Sequence, residues 1–408
     1  MNFNEAQEKL KKYDQLQVLK YYDELSDESK NKLLAEIEAT DFDVVNHIES
    51  GNASTDRGVI SPLKSMELSE IEAKKDEFKA IGLEAIKKGE VAACLLAGGM
   101  GTRLGSDDPK GMYDIGLTRH VYIFQRLIEN LMDVVNEAGA YIPLYVMTSD
   151  KNHEKTVNFF KEQNYFGYKP EYVDFFMQDM APASDYEGHV YLEAKDKMST
   201  SPNGNGGWYV SLHKAGLTKK VKEQGVKWIN IFAVDNVLQR IADPVFVGAV
   251  IDGGFVSGSK VVRKAARDEK VGAICLEDGR PSIVEYYEMT DELMDAKLDN
   301  GDPAYNFGVI LNYLFSVDEL ERIRENSLPL HVVEKKIPYL DADGNLVKPT
   351  EPNGYKFELL VLDMIHEMKD TLPFEVKREY EFAPIKNPTG VDSVESAREL
   401  CKINGIEL

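Results

Sequence analysis

The sequence predicts an α/β fold, a mixed and mostly parallel sheet flanked by helices, with an N-terminal helical arm. Three observations lead there. Near-continuous apolar runs at 91–97, 142–147, 228–234 and 271–276 have strand length and lack polar alternation, as strands covered on both faces do. Helix-like stretches at 121–138, 151–163 and 207–224 lie between them, and strands alternating with helices favour parallel pairing. Residues 1–88 are strongly charged, with apolar residues at helical spacing.

Within the arm, Ser26 suits a helix N-cap, with Asp27 and Glu28 in the first turn. Leu33, Leu34 and Ile37, then Phe42, Val44, Val45 and Ile48, form the apolar stripe. Residues 51–61 read as a turn-rich break and 68–88 as a second charged helix. At 91 the texture changes to the first strand, which stops at a glycine cluster. Near the end, Pro352-Asn353-Gly354 marks a turn. A helix fits 356–369 on Phe357, Leu360, Val361, Met364 and Ile365, and 382–388 is loop-like. The linear division is a helical arm over 1–88, a main domain over 89–390 and a short tail over 391–408.

Composition bounds the function. The 408 residues include 17 Phe, 20 Tyr and 2 Trp, ample for a core, which excludes a disordered chain. Three cysteines without CxxC spacing exclude a disulfide scaffold and suit a reducing cytoplasm. Lys+Arg 48 against Asp+Glu 70 gives a net charge of −22, the reverse of a nucleic-acid binder's field. No apolar run is long enough to span a membrane, and Met1-Asn-Phe-Asn-Glu-Ala has no secretory-signal character. Cytoplasmic localisation, with neither nucleic acid nor membrane as partner, is the expectation.

The most informative segment is Leu96-Ala-Gly98-Gly99-Met-Gly101-Thr102-Arg103-Leu-Gly105-Ser-Asp-Asp-Pro109-Lys110-Gly111. Glycines at a strand end let backbone N–H groups approach an anion. Arg103 and Lys110 add a planar fork of donors and a mobile point charge, which suits a polyphosphate. A Walker A loop is excluded, because no Gly-Lys-Ser/Thr exists in the chain. The dinucleotide fingerprint fails too: Gly99 and Gly101 fit, but Leu104 stands at the third glycine.

This loop resembles the signature of the UDP-sugar pyrophosphorylases, most of all the eukaryotic-type UDP-N-acetylhexosamine pyrophosphorylases. Further blocks follow in the family's order: Pro109-Lys-Gly-Met-Tyr-Asp-Ile-Gly116, Phe175-Phe-Met-Gln178-Asp-Met-Ala-Pro182, Gly204-Asn205-Gly206-Gly207, Ala233-Val-Asp235-Asn236, Val284-Glu285-Tyr286, Lys335-Lys-Ile-Pro-Tyr339 and Phe382-Ala-Pro-Ile-Lys386-Asn387. The resemblance implies a Rossmann-like nucleotidyltransferase core that joins UTP and a sugar 1-phosphate to give a UDP-sugar and pyrophosphate. By position, Gly98, Gly99, Gly101, Thr102 and Gly105 would wrap the nucleotide, with Gln178 and Gly206 on the uracil edge. Arg103, Lys110 and Lys386 would serve the phosphates, and Asn205, Glu285, Tyr286 and Asn306 would line the sugar pocket. Asp235 would hold Mg2+: it follows an apolar strand, and ligands of open α/β sheets bind at the strands' carboxyl ends.

The attacking group, a sugar phosphate oxygen, is already anionic and needs no histidine or cysteine relay. The histidines are therefore expected to be bystanders, His331 beside Glu334, Lys335 and Lys336 included, and Cys94 a small core residue. The family's Asn-Ala-Gly-Asn is replaced by Asn306-Phe307-Gly308-Val309. This keeps an unmodified hexose 1-phosphate open beside the N-acetylhexosamine, and a non-catalytic UDP-sugar-binding protein is the third reading. Larger relatives continue past the Pro-x-Lys-Asn block, so oligomerisation through such an extension is not carried over; a monomer or weak homo-oligomer is expected.

Overall fold

The apolar runs fold as strands of one ten-stranded sheet. Its members are β1 (Ile60–Ser61), β2 (Val91–Leu96), β3 (Leu144–Thr148), β4 (Val173–Met177), β5 (Trp228–Ala233), β6 (Ser257–Arg263), β7 (Ala273–Glu277), β8 (Arg280–Val284), β9 (Phe307–Ser316) and β10 (Leu372–Glu375). The order is β1-β7-β9-β5-β2-β3-β4, with β6 against β9 and β10, and β8 against β7. The computed structural model describes residues 1–48, 57–326 and 328–408.

Every residue of β2 and β3 is buried, as strands covered on both faces must be. The pairs β2–β5, β2–β3 and β3–β4 are parallel. The fourth apolar run became β7, which pairs antiparallel with its neighbours, as β9 does with β5. The sheet is therefore mixed, parallel where β2, β3, β4 and β5 lie together. The chain leaves β2 toward β3 on one side and β5 on the other, so the carboxyl end of β2 is a switch point, where such sheets bind ligands.

The chain divides into two units. The larger holds Gly58–Gln178, Trp208–Asn326 and Leu362–Leu408. The smaller holds the described residues of Met1–Arg57, Asp179–Gly207 and Ser327–Val361. This division differs from the linear one at 88 and 390. The helix Leu68–Lys87 and the C-terminal helix Val394–Ile403 bury Phe78, Ile86, Ala397 and Cys401 in the core of the larger unit. In the smaller unit, Ala6, Leu10, Leu33, Ile37 and Phe42 share a core with Val190, Met198 and Phe357. The Gln15 amide donates to the Gly188 carbonyl at 2.9 Å and accepts from the Val190 N–H at 2.8 Å.

Several local expectations meet their structure here. Ser26 caps the helix Asp27–Ala39, its hydroxyl accepting from the Ser29 N–H. The helix expected over 207–224 is two, Trp208–Lys214 and Leu217–Glu223, broken where Gly216 turns left-handed at φ 76°. The helix expected over 356–369 is shorter, Val361–Glu367, because Gly354–Glu358 pairs as a strand with His331–Lys335 and buries Phe357. Of the turn-rich break, residues 51–56 lie outside the described residues. All three cysteines are buried and none forms a disulfide, and burial pushes the Cys94 thiol up, out of reach of thiolate chemistry. Among the described residues, no helix is long and apolar enough to cross a membrane.

The helix Leu68–Lys87 crosses Pro244–Asp252 at backbone contact. A Cβ on Gly248 would stand 1.7 Å from the Phe78 carbonyl oxygen, and one on Gly82 1.9 Å from that of Pro244. Gly248→Ala should therefore lower unfolding stability by about 1–3 kcal/mol, because overpacking exceeds the helix-propensity gain of about 1 kcal/mol. Urea unfolding measures it, and an unchanged or raised midpoint would contradict the close crossing.

Candidate active site

Four strand ends line up at the switch point. Leu96 and Ala233 are paired across β2 and β5, and Thr148 and Met177 across β3 and β4. The residues just beyond them, from Ala97, Asp235 and Gln178 onward, emerge at the same carboxyl edge.

After β2 the glycine loop is tied down by its neighbours. Asn152 Nδ2 donates to the carbonyls of Ala97 and Gly99, and Ser149 Oγ to that of Gly98. The Gly101 N–H reaches Asp108 at 2.8 Å, and the Lys110 N–H reaches Gly99 at 3.1 Å. Thr102-Arg103-Leu104 make a short 3-10 turn closed by Gly105, which is left-handed at φ 75°. Gly98 has a definite reason to be glycine: a Cβ there would lie 2.0 Å from Gln178 Nε2. Gln178 is 8% exposed, and its backbone continues the sheet by donating to Thr148 at 2.8 Å. At Gly99 a Cβ would meet nothing within 4 Å, so no protein neighbour demands glycine there.

Lys110 Nζ lies 3.6 Å from Asp235 Oδ2. Burial pushes the Lys110 ammonium below the ordinary lysine range; Asp235 opposes this, while Arg103 and Lys386 push it further down. The structure thus gathers Arg103, Lys110, Lys386 and Asp235, distant in sequence, into one electrostatic neighbourhood.

Lys386 arrives there by strand-like docking. The Ile385 N–H donates to the Asp235 carbonyl at 2.9 Å, and Asn236 bridges to Pro384. Asn236 is the anchor, an unassigned member of the Ala-Val-Asp-Asn block. Its Nδ2 donates to the Glu381 carbonyl at 2.7 Å, and its Oδ1 accepts from the Ala383 N–H at 2.9 Å. Asp392 was missed as well. Its carbonyl accepts from the N–H groups of Lys386 and Asn387, and its carboxylate holds Lys386 Nζ at 2.9 Å. The six-residue spacing of Lys386 and Asp392 was the available signal.

Beneath this docked segment lies a fully buried cation. Lys260 has 0% exposure, and its Nζ contacts Glu381 Oε2 at 2.6 Å, Asp243 Oδ2 at 3.1 Å and the Arg240 carbonyl at 3.1 Å. Burial raises the Glu381 carboxyl against the pull of Lys260. Burial also acts to raise Asp243, but Lys260 and Arg240 hold it low. No sequence motif marked this cluster, because its members are spread from 240 to 381.

Of the residues expected to line a sugar pocket, Glu285 follows β8 and Asn306 precedes β9. A Cβ on Gly272 would lie 3.5 Å from both Glu285 Oε2 and Val309 Cγ2, so both side chains border that glycine. The Asn306 carbonyl accepts from the Lys264 N–H at 2.8 Å. Tyr286 is exposed and packs edge-on against Tyr287. Phe307 lies under the Arg263 guanidinium at 4.8 Å. Of the two departures from the family pattern, only Val309 is seen beside Glu285.

Asn205 and Gly206 belong to the smaller unit. Asn205 Oδ1 accepts from the Val361 N–H at 2.9 Å, and the Gly206 N–H donates to the Leu359 carbonyl at 2.8 Å. A Cβ on Gly206 would meet the Leu360 backbone at 2.7 Å. His331 sits on the strand His331–Lys335 of the same unit.

Lys260→Met would strand two buried carboxylates, so it should cost about 3–5 kcal/mol in urea unfolding at neutral pH. A loss well below that range would mean the carboxylates find another cation or water.

Residues 45–404 match the model of the family described as UTP–glucose-1-phosphate uridylyltransferase. UDP-N-acetylglucosamine pyrophosphorylase of Saccharomyces cerevisiae is 39% identical over 413 residues, spanning 96% of this chain and 84% of that protein. UDP-N-acetylhexosamine pyrophosphorylase-like protein 1 of Mus musculus is 37% identical over 409 residues, spanning 94% of this chain and 80% of that protein. The crystal structure of uridine diphosphate N-acetylglucosamine pyrophosphorylase from Trypanosoma brucei, in complex with inhibitor, matches with a TM-score of 0.83 at 26% identity, covering 96% of this chain and 83% of that one. With a family model spanning most of its length and the switch-point site in place, the chain belongs to the UTP–glucose-1-phosphate uridylyltransferase family.

Proposed function

We propose that this enzyme transfers the uridylyl group of UTP to N-acetylhexosamine 1-phosphate, giving UDP-N-acetylhexosamine and pyrophosphate. The observation that carries the reading is the ion pair of Lys110 with Asp235, with Arg103 and Lys386 close enough to act on the same ammonium. A phosphate oxygen of the sugar phosphate attacks the α-phosphorus, and pyrophosphate leaves. The nucleophile is anionic from the start, so positioning and charge neutralisation supply the catalysis.

In this reading Lys110 and Arg103 neutralise the leaving pyrophosphate, and Lys386, held ready by Asp392, reaches the phosphates from the far end of the chain. Within the larger unit, Gln178 against Gly98 reads the base, Gly99, Gly101, Thr102 and Gly105 wrap the nucleotide, and Glu285, Tyr286 and Asn306 line the sugar. Asp235 fits Mg2+, a hard cation that takes one or two carboxylates and completes its shell with phosphate oxygens and water. Among the described residues, the one cluster of three metal-ligating side chains is Asp185, Glu187 and His189, which does not include Asp235. Bound there, Mg2+ would offset charge on the triphosphate. The three buried thiols suit a cytoplasmic enzyme, acting without nucleic acid or membrane as a monomer or weak homo-oligomer.

The relatives named for N-acetylglucosamine and N-acetylhexosamine support the amino sugar. The second reading, glucose or galactose 1-phosphate, rests on Val309, which replaces an amide beside Glu285.

Pyrophosphate release from UTP and Mg2+ across a panel of sugar 1-phosphates tests both readings. Release is expected with the N-acetylhexosamine phosphate, and Asp235→Ala or Lys110→Ala should reduce kcat about 10²–10³-fold. Release with the hexose phosphates alone would select the second reading. Binding of UDP-sugar without release would leave a binding protein. Gly98→Ala should displace Gln178 and raise the KM for UTP on the order of tenfold, leaving that for the sugar phosphate in place; an unchanged KM for UTP would remove Gln178 from base recognition.

A further inference from the structure

Lys264 is a half-buried cation with no acid of its own. It follows β6, and its N–H donates to the Asn306 carbonyl at 2.8 Å, which sets its backbone against that of Asn306. Burial holds its ammonium below the ordinary lysine range, and Glu269 pulls the other way. Glu269 is already engaged, its Oε2 accepting from the Ala265 N–H at 2.6 Å and Arg378 Nη2 at 2.8 Å. The cations around Lys264 are paired: Arg263 with Glu67 and Glu375, and Arg267 with Asp291 and Asp295. Among the described residues, the Lys264 ammonium has neither a hydrogen-bond nor an ion-pair partner.

Such a lysine is unusual in a chain of net charge −22, where acids are plentiful. A partly desolvated ammonium is best satisfied by a doubly charged anion. The larger unit carries a cationic cluster at Asp235 and, after a different strand, a lysine whose backbone is bonded to Asn306. Uridylyl transfer brings together two anions, a triphosphate and an attacking monophosphate. We propose that Lys264 is a further substrate-binding residue, whose ammonium takes the phosphate of the sugar 1-phosphate. This rests on the uridylyltransferase reading above, and it assigns the attacking anion a cation distinct from those that serve UTP.

The test is steady-state kinetics with each substrate varied in turn. Lys264→Met should raise the KM for the sugar 1-phosphate about ten- to a hundredfold, the weight of one charge-assisted hydrogen bond, and leave the KM for UTP unchanged. Lys264→Arg should recover part of the loss. Lys264→Gln, polar and of similar length, serves if the methionine variant does not fold, and thermal unfolding checks that each variant keeps the wild-type midpoint. An unchanged KM for the sugar phosphate, or an equal rise for both substrates, overturns the assignment while the wild-type rate leaves the uridylyltransferase reading standing. A wild-type enzyme that turns over no sugar 1-phosphate overturns that reading, and the Lys264 assignment with it.

Discussion

Arg103, Lys110 and Lys386 repel one another, and two carboxylates stand against them, Asp235 beside Lys110 and Asp392 on Lys386. Left to themselves these side chains would swing apart into solvent. Everything around them counters that tendency. The glycine loop is pinned through Asn152 and Ser149, and Pro109 fixes the approach to Lys110. Lys386 is clasped by its own turn through Asp392. A site preloaded with positive charge is unfavourable when empty and favourable around a polyphosphate, the condition for electrostatic stabilisation without reorganisation during the reaction.

The second device is the anchoring of residues 381–386. Asn236 holds that segment by two side-chain hydrogen bonds, and Lys260 holds Glu381 from below. A buried cation between two acids is costly to desolvate and contributes little net stability compared with apolar packing. What it contributes is direction: Lys260 has partners at one place only, so the backbone bearing Lys386 has one register against β5. The site carboxylate Asp235 and the far-end lysine are thereby fixed relative to one another.

Much of this was legible in the sequence, for identifiable reasons. Buried parallel strands are written as unbroken apolar runs, so β2, β3 and β5 could be read directly. The glycine loop could be read because bare backbone beside Arg and Lys suits few guests. The antiparallel role of β7 could not, since an apolar run does not encode its partner's direction. The segment 354–358 read as helix because Phe357, Leu360, Val361 and Met364 have helical spacing, and its strand partner lies more than twenty residues upstream. Lys264 and Lys260 carried no local signal. Their significance lies in which acids surround them, and only the folded chain supplies those neighbours.

The smaller unit is assembled from three stretches of chain, and this constrains how it is made. Gln15 finds its partners at Gly188 and Val190, 173 and 175 residues later, and the Lys20 ammonium finds the Ala342 carbonyl 322 residues later. At about 5–20 residues per second, a ribosome takes on the order of ten seconds or more to deliver the first of these partners. During that interval Ala6, Leu10, Leu33 and Ile37 lack the Val190, Met198 and Phe357 side chains of their shared core. These helices are thus synthesised well before their partners exist, and the nascent chain must shield their apolar faces from aggregation while later segments are still being translated.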